Sequence, residues 1–305
     1  MNGVLVLDKP REFTSFDVVA VARRLSRQRK IGHTGTLDPM ATGVLPLLLG
    51  CATRAAALLP DTDKEYVAGF RFGTRTDTLD VTGEVQGQSD MPVSYAALEA
   101  VLPSFSGDIL QIPPMYSAVK RDGVRLYDLA RQGVEIERSP RPVTIEKLRL
   151  LSYDEEKKEG ELLVRCSKGT YIRSLIDDIG TALATFGVMT ALRRTMACGF
   201  GLSDSVTLDE AKRLSEEGTL ESMLRPVETL FLPYQKIVVT APQAKRFANG
   251  GSLELCRTSL KAGYKDGALV RVCSPGGAFL GLGEVDAQRG ELLVKRLFLT
   301  DPCSF

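Results

Sequence analysis

Hydrophobic residues alternate with polar ones in several stretches of the chain and recur at helical spacing in others. Residues 65–72 put Tyr66, Ala68, Phe70 and Phe72 on one side of an extended chain, which predicts a strand. Strands are also predicted over three further ranges, residues 3–7, 143–151 and 161–166. These strands do not alternate regularly with helices, so a parallel βαβ sheet is not indicated.

Two helices interrupt this pattern. Thr14 and Asp17 have the spacing of a capping box, and the helix they begin counts Phe16, Val19 and Val21 among its apolar residues. A second helix follows Lys168-Gly169-Thr170, and its apolar positions are Ile172, Leu175, Ile176, Ile179 and Leu183. Together with the strands, these helices predict an α/β (α+β) domain whose central sheet is mixed and mostly antiparallel.

The last seventy residues follow a different pattern. Residues 226–233 begin and end with proline and predict a domain boundary. Beyond it we expect an extended segment over residues 236–240, a short helix over residues 242–248, and three strands over residues 268–273, 279–285 and 292–299. Short strands separated by turn residues are typical of a small β-barrel.

Composition excludes several classes of protein. The longest apolar runs are too short to cross a bilayer, and the first residues have no signal-peptide pattern, so a cytoplasmic protein is expected. The six cysteines are scattered without a Cys-x-x-Cys pair, which favours buried, reduced thiols. His33 is the only histidine, so a zinc site would need an unusual ligand set, and no metal is expected. A carboxylate is therefore the leading catalytic candidate, because a Ser-His-Asp or Cys-His system would have to use His33.

Charge is distributed unevenly along the chain. Residues 1–60 carry eight Lys and Arg against four Asp and Glu, and residues 234–305 carry ten against six, whereas residues 61–233 carry 21 against 28. Two basic ends are compatible with RNA bound at two places. The basic helix over residues 18–30 is most simply a solvated charged face, and phosphate contact by some of Arg23, Arg27 and Lys30 is the alternative that fits RNA binding.

One segment concentrates small residues around a single acid. It runs from Gly32 to Leu45 and reads GHTGTLDPMATGVL, with Asp38 near its centre. Glycine and threonine let the backbone approach a ligand closely, and Pro39 biases Asp38 away from helical geometry. From this pattern alone, Asp38 is either a functional carboxylate or an ordinary turn residue.

This segment resembles the catalytic motif of the TruB-type pseudouridine synthases. Other motifs of that family follow in the same order: Asp8-Lys9-Pro10 with Thr14-Ser15, Lys64-Glu65-Tyr66 with residues 73–78, residues 111–120 with 127–131, and residues 166–175. The resemblance covers roughly residues 3–200. One departure is Glu12, where the family commonly has glycine; it changes a turn and leaves the catalytic assignment intact.

The resemblance implies the chemistry of the site. Asp38 would be the catalytic carboxylate, Arg173 its ion-pair partner, and Tyr66 a residue that stacks on the target base and acts as a general base. No cofactor would be required. Whether the carboxylate attacks the substrate or abstracts a proton from the sugar stays open. Without the resemblance, Tyr66 would be read as core, and Arg173 as half of an exposed helix pair with Asp177.

Five further residues are candidates for RNA contact by the same resemblance. The counterpart of His33 lies beside the flipped base, and Tyr171 and Leu192 would shape the pocket wall. Lys9 and Lys168 are interpreted as RNA-binding, with structural or solvated roles as the alternatives.

The resemblance also implies the organisation and the substrate. We expect a pseudouridine synthase domain over residues 1–232, with an RNA-contacting insertion at residues 111–142, and a PUA-like RNA-binding barrel over residues 234–305. The implied substrate is the T-loop uridine of tRNA, at position 55, and the protein would act as a monomer. The alternatives are an RNA chaperone that refolds the tRNA elbow without chemistry, and an enzyme of the same fold that acts on another RNA.

Overall fold

The computed structural model describes residues 1–60, 62–121, 123–260 and 264–299. Strands up to residue 207 are β1 (Gly3–Lys9), β2 (Ile31–His33), β3 (Thr42–Leu49), β4 (Lys64–Phe72), β5 (Thr74–Thr76), β6 (Val85–Gln88), β7 (Gly107–Gln111), β8 (Lys120–Arg121), β9 (Val124–Arg125), β10 (Arg141–Asp154), β11 (Glu159–Cys166), β12 (Gly187–Ala197), β13 (Phe200–Gly201) and β14 (Val206–Thr207). The C-terminal strands are β15 (Gln235–Val238), β16 (Leu253–Glu254), β17 (Leu269–Cys273), β18 (Phe279–Asp286) and β19 (Glu291–Leu297).

Helices lie between these strands. The α-helices are α1 (Ser15–Ser26), α2 (Tyr95–Val101), α3 (Leu126–Ala130), α4 (Ile172–Ala182), α5 (Leu208–Glu216) and α6 (Ala241–Ala248). Short 3-10 helices span Gly50–Ala55, Leu102–Phe105, Leu202–Asp204, Leu220–Met223, Val227–Phe231 and Leu255–Arg257.

A ten-stranded sheet organises the larger part of the described chain. Its order is β14-β1-β3-β12-β4-β11-β10-β7, with β2 beside β3 and β13 beside β12. Only β1 with β14 and β3 with β12 pair in parallel; the other neighbours are antiparallel. The predicted mixed, mostly antiparallel sheet is therefore confirmed.

The alternation in β4 places the central core. Tyr66, Ala68, Phe70 and Phe72 are all buried, and they belong to the cluster that contains the apolar face of α4. The helix predicted after Lys168 begins at Ile172, as its apolar spacing indicated. This cluster also contains Leu37, Met40 and Ala41, so the residues flanking Asp38 are anchored in the core.

Helix α1 begins where the sequence predicts and ends earlier. Thr14 is its N-cap, and Thr14 and Asp17 form the predicted capping box. The prediction of a helix as far as residue 30 is wrong, because Arg27 adopts a left-handed conformation (φ 52°) and ends α1 after Ser26. Phe16, one of the apolar residues on which the helix was predicted, is 68% exposed.

The C-terminal strands form a separate five-stranded sheet. Its order is β15-β17-β18-β19-β16, and it curls into a half-barrel around Phe247, Val272 and Leu280. The three predicted strands correspond to β17, β18 and β19, and a strand matches the extended segment predicted after the boundary. The two-residue β16 was not predicted.

The half-barrel shares a core with the larger sheet. Phe231 packs against Phe298 with ring centroids 5.3 Å apart, in a cluster that also contains Val4 and Leu48. The Cys51 thiol lies 3.3 Å from the carbonyl oxygen of Phe298 as a hydrogen-bond donor. Removing the C-terminal strands would therefore expose apolar surface on the larger sheet.

The cysteines only partly follow the expectation of buried thiols. Cys51, Cys166, Cys198 and Cys273 are buried, as expected, whereas Cys256 is exposed. Cys303 lies outside the described residues. None of the described helices is both long and apolar enough to cross a membrane.

The departure at Glu12 has a measurable cost. Glu12 has a φ of 69°, a left-handed conformation that disfavours any residue with a Cβ, and its N–H donates to the carbonyl of Pro39 at 2.8 Å. We expect Glu12→Gly to raise the free energy of unfolding by about 1 kcal/mol relative to Glu12→Ala, since only glycine relieves the strain. Chemical denaturation of both variants tests this, and equal stabilities would contradict it.

Candidate active site

Asp38 lies in the loop that connects β2 to β3, and groups from other elements hold this loop on both sides of it. The hydroxyl of Ser15 accepts a hydrogen bond from the N–H of Leu37 at 2.9 Å. The carbonyl of Pro39 accepts from the Glu12 N–H and, at 3.2 Å, from the Lys9 ammonium. The first turn of α1 and the end of β1 thus fix the backbone immediately before and after Asp38.

Arg194 supports the other side of the same loop from β12. Its side chain is fully buried, and its guanidinium donates to the carbonyls of Val44, Gly35 and Thr36 at 2.7, 3.2 and 3.5 Å. Within the described part of the chain it makes no ion pair with a carboxylate. Gly43 is needed beside it, because a Cβ there would lie 2.1 Å from the Arg194 carbonyl oxygen.

The carboxylate of Asp38 forms an ion pair with Arg173 on the first turn of α4. Arg173 Nη2 lies 3.1 Å from Asp38 Oδ2. The two side chains differ in exposure: Arg173 is 7% exposed, whereas Asp38 is 37% exposed. The structure thus holds a buried cation behind a carboxylate that faces solvent.

Asp80 is a site residue that the sequence analysis missed. Its Oδ2 lies 3.6 Å from Arg173 Nη1, and its Oδ1 accepts from the Thr78 hydroxyl and the Thr82 N–H at 2.9 and 3.0 Å. Its side chain is 6% exposed. Asp80 follows the motif at residues 73–78 by two positions. An acid next to a family motif is therefore the signal in the sequence by which Asp80 could have been predicted as a site residue.

Backbone carbonyls complete the surroundings of Arg173. The guanidinium donates to the carbonyls of Thr78 and Tyr116, each at 2.9 Å. The alternative interpretation, an exposed helix pair with Asp177, is wrong, because Arg173 is buried and Asp177 instead pairs with Arg75 at 2.7 Å. Arg173 therefore contacts Asp38, Asp80 and the start of the 111–142 segment at once.

Tyr66 and Leu192 form the buried wall of the site. They lie on the neighbouring strands β4 and β12, Tyr66 opposite Arg194 and Leu192 opposite Ala68. Both belong to the same cluster as Leu37, and they are 6% and 8% exposed. Burial raises the pKa of Tyr66 to about 12, and the Arg194 guanidinium beside its hydroxyl acts in the opposite direction.

Comparisons with known proteins identify the family to which this chain belongs. Three family models match in succession: TruB family pseudouridylate synthase (N terminal domain) over residues 23–172, tRNA pseudouridylate synthase B C-terminal domain over residues 173–232, and Pseudouridine synthase II TruB, C-terminal, over residues 236–298. A tRNA pseudouridine synthase B from Azoarcus sp. (strain BH72) is 45% identical across 98% of this chain and 96% of the relative. One from Stutzerimonas stutzeri (strain A1501) is 42% identical across 99% and 97%.

The chain belongs to the TruB family of pseudouridylate synthases. It is accordingly an isomerase. Solved structures agree with the fold: a Cbf5-Nop10-Gar1 complex contains a chain that superposes with a TM-score of 0.75 at 28% identity, covering 97% of this chain and 85% of that one. An H/ACA RNP bound to a substrate RNA containing 2′-deoxyuridine matches with a TM-score of 0.74 at 25% identity, covering 97% and 85%.

The candidate RNA-contacting residues of this TruB-family enzyme differ in their accessibility. Lys168 is exposed in the turn before α4, and no ion pair involves it among the described residues. Tyr171 is half-buried as the N-cap of α4, and its backbone N–H and carbonyl are bound by the Gln111 side chain at 2.7 and 3.0 Å. His33 is also half-buried, and its ring meets that of Phe16 edge-on at 5.7 Å.

His33 has a perturbed pKa and one ring nitrogen without a hydrogen-bond partner in the described structure. Burial, and then the nearby charge of Arg194, lower the pKa of His33, whose Nδ1 is buried without a hydrogen-bond partner in the described structure. A neutral imidazole is therefore favoured at neutral pH. No group of three or more His, Cys, Asp and Glu residues among those described is arranged to hold a metal ion.

Lys9 has a structural role in this conformation, which corrects its interpretation as an RNA contact. Its side chain is fully buried, and its ammonium donates to the carbonyls of Pro10, Phe13 and Pro39 at 2.9, 2.6 and 3.2 Å. Burial lowers its pKa to about 8, with Asp38 opposing the shift. Lys9 therefore acts on the site through the loop that carries Asp38.

The lowered pKa predicts opposite effects of alkaline pH on activity and on stability. A neutral amine has two N–H groups for three carbonyls, so turnover at saturating RNA should fall as pH rises through about 8. Between about 8 and the unfolded value of 10.5 the unfolded chain binds more protons, so the contribution of Lys9 to stability should rise over that range.

Single-turnover rates and melting temperatures across this range of pH test the prediction. Lys9→Arg is the matched control, because a guanidinium stays charged throughout. If folded Lys9→Arg shows the same alkaline decline in turnover as the parent enzyme, the decline does not come from Lys9.

Proposed function

We propose that this enzyme converts the T-loop uridine of tRNA, at position 55, into pseudouridine, with Asp38 as the catalytic carboxylate. Family membership and two relatives that are named tRNA pseudouridine synthase B support tRNA as the substrate. The position within the T loop comes from the resemblance of the motifs. The observation that carries the catalytic assignment is the solvent-facing carboxylate of Asp38 paired with the buried Arg173.

The reaction needs few chemical groups from the protein. The bond between ribose C1′ and N1 of the base breaks, the base turns, and C1′ forms a bond to C5, which loses its proton while N1 gains one. Atoms and electrons balance within the substrate, so no oxidant, donor or cofactor is consumed. An ionised carboxylate serves either as the nucleophile or as the base that abstracts a proton from the sugar, and both routes require Arg173 behind Asp38.

Tyr66 is better suited to contact the extruded base than to accept a proton. A phenol whose pKa is about 12 stays protonated near neutral pH, and forming the phenolate would depend on the adjacent Arg194. Its ring, by contrast, lies in the same wall as Leu192, in the cluster that also contains Leu37, the residue before Asp38. We therefore assign stacking to Tyr66 as its main role.

RNA would be bound on both sides of this pocket. Lys168, Tyr171 and His33 flank it, the 111–142 segment is tied to it through Arg173, and residues 234–305 form the second RNA-binding unit. The division at residues 232–234, a monomeric state and a cytoplasmic location belong to the same proposal. An RNA chaperone would use the same surfaces but would have no need for Asp38 and Arg173 together.

Asp38→Asn separates these functions most directly. The substitution is nearly isosteric and removes the charge, so pseudouridine formation should be lost while tRNA affinity changes by less than about tenfold. Asp209→Asn, at an exposed acid on α5, is the control and should retain activity. The assay maps pseudouridine at single-nucleotide resolution in an unmodified tRNA transcript. Retained turnover in Asp38→Asn, after deamidation is excluded, would falsify the assignment of Asp38.

Substituting Arg173 tests whether its geometry matters or only its charge. Arg173→Ala leaves Asp38 and Asp80 without their shared cation, and we expect a loss in single-turnover rate of roughly 100-fold or more. Arg173→Lys should recover only part of the lost rate. The planar guanidinium of arginine reaches four acceptors, and the single ammonium of lysine cannot reach all of them. Circular dichroism controls for folding. A fully active Arg173→Lys would show that charge alone suffices.

Phosphate binding by α1 and the residues that follow it should appear in the dependence of affinity on salt. Neutralising Arg23, Arg27 and Lys30 together should flatten the slope of log affinity against log salt, by up to about 0.9 for each duplex phosphate that these side chains neutralise. The control neutralises Lys147, Arg149 and Lys157, three exposed residues of the β10–β11 hairpin. An unchanged slope in the Arg23, Arg27 and Lys30 variant would show that these side chains are solvated and do not bind phosphate.

A further inference from the structure

Phe16 is an exposed aromatic residue at the rim of the candidate active site. Its side chain is 68% exposed, although it belongs to α1, whose other apolar residues largely face the core. The preceding residue, Ser15, is buried and bonded to the backbone of Leu37, one residue before Asp38. Phe16 is thus held beside the catalytic loop while its ring projects into solvent.

The ring of Phe16 continues the surface formed by His33. The two rings meet edge-to-face with centroids 5.7 Å apart and planes at 90°. His33 lies five positions before Asp38. Because the Phe16 ring contacts the His33 ring, both rings lie on the same side of the loop that carries Asp38. A neutral imidazole and an adjoining phenyl ring form an uncharged aromatic surface, which suits a nucleobase better than a phosphate.

Phe16 also lies in line with Arg23 of the same helix and with Arg27, its C-cap. At about 100° per residue, Phe16, Ala20, Arg23 and Arg27 fall within one narrow stripe of α1. All four are exposed, and Arg27 ends the helix. The stripe therefore has an aromatic end near Asp38 and a basic end away from it, the combination that single-stranded nucleic-acid surfaces use for bases and backbone.

We propose that Phe16 is a stacking platform for an unpaired RNA base next to the uridine that is isomerised, while Arg23 and Arg27 bind the phosphates that follow. This inference rests on the proposed function and identifies a further positioning residue for it. The chemistry recognised is a flat, uncharged base in a loop, and every base offers such a face. Phe16 would therefore add affinity and orientation rather than sequence specificity.

A different role is available to the same side chain. Phe16 also covers part of His33, whose Nδ1 is buried without a partner in the described structure. If covering were its only role, any apolar residue of similar size would serve. Leucine keeps apolar bulk and lacks a π face, so Phe16→Leu separates the two roles, with Phe16→Tyr as the conservative aromatic variant.

Binding of an unmodified tRNA transcript gives the first test. We expect Phe16→Leu to raise Kd roughly 5- to 100-fold, as base stacking does in other single-strand sites, while Phe16→Tyr stays close to the parent enzyme. The loss should appear mainly in Kd and KM, and less in the single-turnover rate at saturating RNA. A Phe16→Leu enzyme that binds within twofold of the parent would overturn the stacking role.

The absence of tryptophan from the sequence allows a direct optical test. Phe16→Trp introduces the sole tryptophan, and stacking on a base should quench its emission when RNA binds. Adding Asp38→Asn prevents turnover during the measurement. Quenching that saturates with the binding curve supports the platform, and unchanged emission at saturating RNA contradicts it. Failure of the proposed function itself would be distinguishable, because the parent enzyme would then not form pseudouridine in the same transcript.

Discussion

The buried guanidinium of Arg173 is the constraint on which the site depends. Removing a cation from water costs several kcal/mol unless acceptors surround it. Here two carboxylates, Asp38 and Asp80, and two backbone carbonyls supply them. Of the two acids, only Asp38 faces solvent. The ion pair therefore stabilises Arg173 and leaves the Asp38 carboxylate accessible to substrate.

Two other buried cations act on the backbone instead of on acids. Arg194 and Lys9 together bind carbonyls on both sides of Asp38, and neither makes an ion pair within the described residues. Their burial is costly, as the lowered pKa of Lys9 indicates. The buried Lys9 and Arg194 therefore lower the stability of the protein while they hold the Asp38 loop in one conformation. The left-handed conformation of Glu12 lowers the stability further.

Local signals in the sequence predicted local features well. The capping box at Thr14 located the start of α1, and the alternation around Tyr66 predicted both a strand and a buried tyrosine. The end of α1 could not be predicted. A glycine usually marks the left-handed residue that ends a helix, and here that residue is Arg27. The motif pattern also suggested that Arg173 pairs with Asp38, and the structure contains that pair.

Contacts between distant segments could not be read from the sequence. Asp80 pairs with Arg173, although more than ninety residues separate them in the sequence. Burial of Lys9 depends on three carbonyl groups that only the folded chain brings together. Phe16 was counted as apolar, and its exposure follows from the way Ser15 docks α1 on the loop. Each of these features depends on tertiary packing, to which periodicity and motif spacing are insensitive.

A double-mutant cycle between Asp80 and Arg173 tests the central claim, that one connected network positions Asp38. The four proteins are the parent enzyme, Asp80→Asn, Arg173→Lys and the double variant, and the measurement is the single-turnover rate of pseudouridine formation at saturating tRNA. If Asp80 acts by fixing the guanidinium of Arg173, the double variant should be about as slow as the slower single variant, a strong departure from additivity. Independent losses that multiply in the double variant would contradict the network.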